Sequence, residues 1–141
     1  MQIVDAYPVI ITDRIRECRD FYTRWFAFEV GFEADWFVWL RRDGELPCAL
    51  AFMHTEHPSS PPSPGAYRGD GMFLTFQVED VRTEYERLRA DGLSLDLGLT
   101  DEPWGQRRFG VVDPAGMWVD VVEQIEPAAG WWDPYLPDVP A

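Results

Sequence analysis

The sequence contains no lysine. Its twelve basic residues are all arginine, set against 25 acidic ones, for a net charge of −13. Such a chain repels nucleic acid and anionic membranes, which excludes DNA binding by phosphate neutralisation. The acidity favours cationic partners, or simply solubility. Cysteine is scarce as well: Cys18 and Cys48 have no metal-ligand spacing and read as free thiols of a reducing compartment. No run of 18 apolar residues exists, so no membrane span is expected. The start, MQIVDAYPVI, lacks the basic and apolar regions of a secretory signal, which makes the cytoplasm the expected location. Phosphate-binding glycine loops, Gly-x-Ser-x-Gly and Cys-x-x-Cys are all missing. The two histidines, His54 and His57, stand three apart, a spacing that binds metal on a helix. The prolines that follow argue against a helix there.

What is present is a pattern that occurs twice. The 141 residues, 46% hydrophobic, suffice for one domain or two small modules. Residues 6–11 (AYPVII) read as a strand. Thr12 and Asp13 offer helix-capping oxygens, and Ile15, Cys18, Phe21, Tyr22 and Trp25 then follow helical spacing. Strands are expected over 28–32, 36–40 and 48–53, with Asp43-Gly44 as a hairpin signal. Residues 54–71 are rich in Pro, Ser and Gly and read as a loop. The order then repeats: a strand over 72–78, a helix over 81–90 capped by Glu79-Asp80 and ended by Asp91-Gly92, and a strand over 93–99. The expected fold is α+β, two tandem β-α-β-β-β modules over 1–54 and 72–125. A linker spans 55–71, and an aromatic tail spans 126–141. Trp131, Trp132 and Tyr135 of that tail are expected to pack on the body or on a second subunit.

The most informative stretch is PWGQRRFGVVDPAGMWVDVVEQ, residues 103–124. It reads as a turn, a strand, the tight reversal Asp113-Pro114-Ala115-Gly116, and a second strand with one charge, Asp120, in its middle. A carboxylate inside an apolar strand is costly unless it meets water, a partner or a ligand. The stretch resembles the last hairpin of the glyoxalase/bleomycin resistance/extradiol dioxygenase (vicinal oxygen chelate) superfamily. That family shows a PWGxR-like turn, then DPxGN, then a carboxylate four residues past the Gly. Gly116 and Asp120 match, whereas Met117 replaces the usual Asn. The doubled module extends the resemblance over roughly residues 5–125.

The resemblance implies a curled mixed sheet whose inner face lines a cleft. In metal-dependent relatives, ligands stand near the positions of Tyr7 and Phe73, late in the fourth strand, and at Asp120. Here the first two are aromatic, the fourth strand (CALAFM) offers no His, Asp or Glu, and only Asp120 survives. Strand alternation places Phe73, Thr75 and Gln77 on one face, and Trp118, Asp120 and Val122 likewise, opposite an apolar helix-facing set. Seven tryptophans supply aromatic walls, about half of them expected in the core. The expected ligand-binding residues are Tyr7, Trp39, Phe73, Thr75, Trp104, Arg108, Trp118 and Asp120, with no metal and no cofactor. The reading this favours resembles the metal-free, antibiotic-sequestering members: a homodimeric binder of cationic or planar aromatic compounds. The alternative is an enzyme of lyase, isomerase or dioxygenase type, acting without metal or with a displaced ligand such as His54. Arg107 and Arg108 bear on the choice: pairing with Asp120 removes its free charge, and an arginine facing the ligand favours an anion.

Overall fold

The computed structural model describes residues 1–62 and 65–137, so parts of the expected linker (63–64) and tail (138–141) lie outside the described residues. The elements, in order, are β1 (Val9–Ile11), α1 (Ile15–Trp25), β2 (Glu29–Ala34), β3 (Phe37–Arg42), β4 (Cys48–Met53), β5 (Leu74–Gln77), α2 (Val81–Ala90), β6 (Leu97–Glu102), β7 (Gln106–Val112) and β8 (Trp118–Gln124). They form two four-stranded mixed sheets, ordered β1-β4-β3-β2 and β5-β8-β7-β6. In each, the first strand runs parallel to the last, and the other pairs are antiparallel hairpins. The doubled β-α-β-β-β order is therefore present. Two compact units result. One holds residues 1–72 with the turn 113–117, and the other holds residues 73–112 and those from 118 onward.

In the first unit, α1 buries Ile15, Cys18, Phe21 and Tyr22, the stripe set by its 3.6-residue period. This stripe packs on β3 and β4, whose buried positions include Val38, Leu40, Leu50 and Phe52. Tyr22 is fully buried, its ring stacked on Phe52 with centroids 5.5 Å apart. Its hydroxyl donates to Asp113 Oδ2 at 2.6 Å. Asp113 Oδ1 accepts the backbone N–H groups of Ala115 and Met117 at 2.8 and 2.9 Å. The Asp-Pro-Ala-Gly turn is thus closed from inside by its own first side chain, and Gly116 supplies the left-handed φ of 89° that the reversal needs. Burial pushes the Asp113 carboxyl above its ordinary value, and the hydrogen bonds from Tyr22 and the turn oppose the shift. Burial, helped by the Asp113 charge, pushes the Cys18 thiol up to about 12.

Several element ends differ from expectation, each for a local reason. β1 starts at Val9 rather than residue 6 because Pro8 has no N–H to give; its carbonyl accepts from Ala51 instead, at 3.0 Å. Thr12 and Asp13 do not cap α1. The N-cap is Arg14, without a side-chain bond; Thr12 holds the Arg14 N–H, and Asp13 accepts from Thr55. Helix α2 begins as expected, with Asp80 accepting from the Thr83 N–H at 3.1 Å. Its end takes up two further residues. Gly92, at φ 97°, bonds to the Arg89 carbonyl, and the Leu93 N–H bonds to the Leu88 carbonyl, so β6 begins at Leu97 rather than 93.

The Tyr22–Asp113 bond generates a pH-dependent expectation. Because the folded pKa of Asp113 lies above 3.8, ionising it costs stability, and the cost appears as pH rises through the folded value. Tyr22 favours the ionised form and limits that cost. Tyr22→Phe is expected to lose about 1.5–3 kcal/mol at pH 7, the worth of a hydrogen bond to a charged group. The loss should shrink as pH falls below the folded pKa. Urea unfolding across pH 4–7 checks this; a deficit independent of pH would contradict it.

Candidate functional site

Alternation along β5, β8 and β7 gives the second sheet two unlike faces. Leu74, Val119, Val121, Phe109 and Val111 are buried on the side where α2 packs, with Tyr85 against Phe109 at 5.6 Å. On the other side the register places Thr75, Asp120 and Gly110 in one row, and Gln77, Val122 and Arg108 in the next. Asp120 is only 3% exposed, yet both its oxygens are satisfied. Oδ2 accepts from Arg108 Nη1 at 3.0 Å, and Oδ1 accepts from the Trp118 indole N–H. Arg108 Nε donates to Glu102 at 3.2 Å. Burial pulls the Arg108 guanidinium down, but its bonds to Asp120 and Glu102 outweigh that and hold it above its ordinary value. The three side chains carry one net negative charge.

Aromatic rings flank this cluster. The Arg108 guanidinium lies 5.1 Å from the centre of the Trp104 ring, within cation–π range. The Trp104 indole donates to Gln106 at 2.9 Å. The expected packing of the tail is found within this unit: Trp131 meets Trp104 at 5.9 Å, and the Trp132 indole donates to the Trp104 carbonyl at 2.8 Å. The Trp118 ring lies against Gly110, where a Cβ would stand 2.1 Å from it. Glycine there is what lets the indole reach Asp120.

Of the expected ligand-binding residues, Trp104, Arg108, Trp118, Asp120 and Thr75 belong to this sheet and its β6–β7 turn. Phe73 precedes β5 and is 59% exposed. Tyr7 and Trp39 belong to the first unit, their rings edge-to-face at 6.2 Å. Arg107 is removed from the question of Asp120, since it pairs bidentately with Asp101 on the opposite face. Sequence reasoning missed Glu102, Gln106 and Gly110. The available signal was Gly110 itself, a glycine inside a strand, which marks close approach of another group.

Within each unit, the described residues present no set of divalent-metal ligands. Among the described residues no three His, Cys, Asp or Glu side chains converge. Asp120 has its oxygens committed, and β4 offers no His, Asp or Glu. His54 lies 3.6 Å from Asp13, and His57 stacks on Trp36 with ring centres 3.6 Å apart. Both histidines belong to the first unit, and Asp120 belongs to the second.

Doubled β-α-β-β-β modules with mixed four-stranded sheets define a glyoxalase-like α+β architecture. The model of the glyoxalase/bleomycin resistance protein/dioxygenase superfamily matches residues 6–121, and the chain belongs to that family. No curated protein matches it. Solved structures agree on the fold. A glyoxalase/bleomycin resistance protein/dioxygenase from Nocardioides superposes with TM-score 0.72 at 20% identity, covering 89% of this chain and 86% of that one. Lactoylglutathione lyase from Agrobacterium tumefaciens gives 0.66 at 19% identity, covering 85% and 92%. TioX from Micromonospora sp. ML1 gives 0.67 at 19%, covering 84% and 97%.

The contact between Trp118 and Gly110 is testable. Gly110→Ala is expected to displace the indole, leave Asp120 Oδ1 without its donor, and destabilise the fold by about 1–3 kcal/mol through overpacking. Near-ultraviolet circular dichroism and thermal unfolding report both effects. An unchanged tryptophan spectrum would show that the ring does not depend on Gly110.

Proposed function

We propose that the chain is a small-molecule binding protein of the glyoxalase/bleomycin resistance type, holding a planar, cationic or neutral aromatic compound without a metal. The observation that carries this reading is the state of Asp120. Its carboxylate is spent on Arg108 and Trp118, so it orients a guanidinium and an indole rather than ligating an ion. That orientation gives the sheet flat, stackable groups, with Thr75 and Gln77 beside them in register as hydrogen-bonding partners. Pairing with Arg108 removes the free charge of Asp120 and weakens its part in holding a cation, so the preference for a cation over an anion rests on Glu102 and on the net charge of −13. A cytoplasmic homodimer is part of the proposal. The strand β2, at the edge of its sheet, exposes Val30 and Phe32 and offers an apolar contact. Sedimentation showing only monomer at micromolar concentration would remove that part.

Quenching of tryptophan fluorescence tests the central reading, with proflavine as the planar cation and anthraquinone-2-sulfonate as the planar anion. The cation is expected to bind more tightly, and to weaken as salt rises. Asp120→Asn keeps the shape and frees the Arg108 charge. It should fold at a cost of about 1–3 kcal/mol and bind proflavine roughly ten-fold more weakly. Equal affinity for both dyes, or preference for the sulfonate, would overturn the charge assignment and make Arg108 the dominant group.

A further inference from the structure

The family match stops at residue 121, before the segment that follows β8 begins. That segment, residues 125–136, folds back on the β6–β7 turn within the second unit. Three consecutive carbonyls of the turn accept hydrogen bonds from it. The Ala128 N–H donates to the Pro103 carbonyl at 2.9 Å, the Trp132 indole to that of Trp104 at 2.8 Å, and the Ile125 N–H to that of Gly105 at 2.9 Å. Side chains close the same contact. Trp131 meets Trp104 with ring centres 5.9 Å apart, and Trp132 and Tyr135 stand against Trp131 at 4.8 and 5.1 Å. A Cβ on Gly105 would lie 2.9 Å from the Ile125 carbonyl oxygen and 3.3 Å from Pro127. The segment also bonds to itself, Trp131 N–H to the Ala128 carbonyl and Tyr135 N–H to the Trp132 carbonyl, so it is a folded piece and not a trailing end.

The residue in the middle of the clamped turn is the one whose ring covers Arg108. A guanidinium offers an anion its N–H edges and presents a flat face to aromatic rings. Glu102 and Asp120 take the Nε and Nη1 edges. Trp104 takes a face, with its indole N–H held by Gln106. A turn on its own leaves such a ring free to swing away. Here the backbone is pinned at Trp104 and at both its neighbours, so the ring is held in place before any ligand arrives. What pins the turn therefore decides how open Arg108 is.

We propose that residues 125–132 are a clamp that positions Trp104 over Arg108 and so withholds this guanidinium from anionic ligands. Trp131 and Trp132 act through Trp104 and are positioning residues. The selectivity half of the proposal rests on the binding function proposed above; the clamp itself does not.

Arginine labelling reads the clamp without any ligand. Phenylglyoxal condenses with accessible guanidinium groups, and tandem mass spectrometry separates the two neighbours in β7. Arg107 is the internal control: its side chain is 28% exposed against 25% for Arg108, and it is likewise paired with a carboxylate. Trp131→Leu/Trp132→Phe keeps apolar bulk while removing the ring contact and the indole donor. In this variant the Arg108-to-Arg107 labelling ratio is expected to rise about five-fold over the native protein, the scale of one lost cation–π contact. Leu136→Ala changes an exposed side chain of the same segment and should leave the ratio as it is. An unchanged ratio in the double variant would overturn the clamp. Equal rises at both arginines would overturn it too, by showing that the segment supports the whole sheet and does not position Trp104 in particular. The same proteins are then titrated with proflavine and anthraquinone-2-sulfonate. The sulfonate is expected to gain about five-fold on proflavine in the double variant. A raised labelling ratio with no such gain would overturn the withholding role. A native protein that binds neither dye would overturn the proposed binding function and the selectivity role together, while the labelling ratio still decides the clamp.

Discussion

A carboxylate held at 3% exposure in the middle of β8 is the constraint around which the second sheet is arranged. Burying an ionised group unpaired costs several kcal/mol, so the chain must bring donors to it. Arg108 arrives from β7, two residues along from Gly110, which lies directly opposite Asp120 in the register. Trp118 arrives from the same strand as Asp120, two residues earlier, on the same face. Gly110 is small because the indole must cross it. Glu102 then balances the remaining reach of Arg108, and Trp104 covers the guanidinium plane. Each of these choices follows from one buried charge.

The first unit solves the same problem at Asp113. There the donors are a tyrosine hydroxyl from α1 and two N–H groups of the turn itself. Two backbone donors and one side-chain donor favour ionisation, and deep burial works against it. The result ties a four-residue turn to the buried face of α1, so the Asp-Pro-Ala-Gly sequence has a packing role as well as a turning one.

Much of this was legible in the residues. Helix α2 and strand β4 lie where period and caps place them, because Asp80, Gly92 and the Asp43-Gly44 turn act locally. The doubled module was visible because both copies carry the same order of apolar periods. Asp120 stood out because one charge interrupted an apolar strand. What the sequence left open were facts of register. Whether Arg107 or Arg108 meets Asp120 depends on which β7 residue pairs with Asp120, and that is fixed by the length of the turn and not by composition. Pro8 shortened β1 through a missing N–H whose effect depends on the pairing of β4. The Trp39 ring rests on Gly31, at a β-bulge that no turn motif announces.

The account's central claim is that Asp120 is an internal scaffold for Arg108 and Trp118 and ligates no ion. Elemental analysis of protein purified without chelators tests it most directly. The account predicts no transition metal at stoichiometric level, in either the native chain or Asp120→Asn. One zinc, iron, nickel or manganese per chain, lost in Asp120→Asn, would contradict it and make the carboxylate a ligand of a metal enzyme.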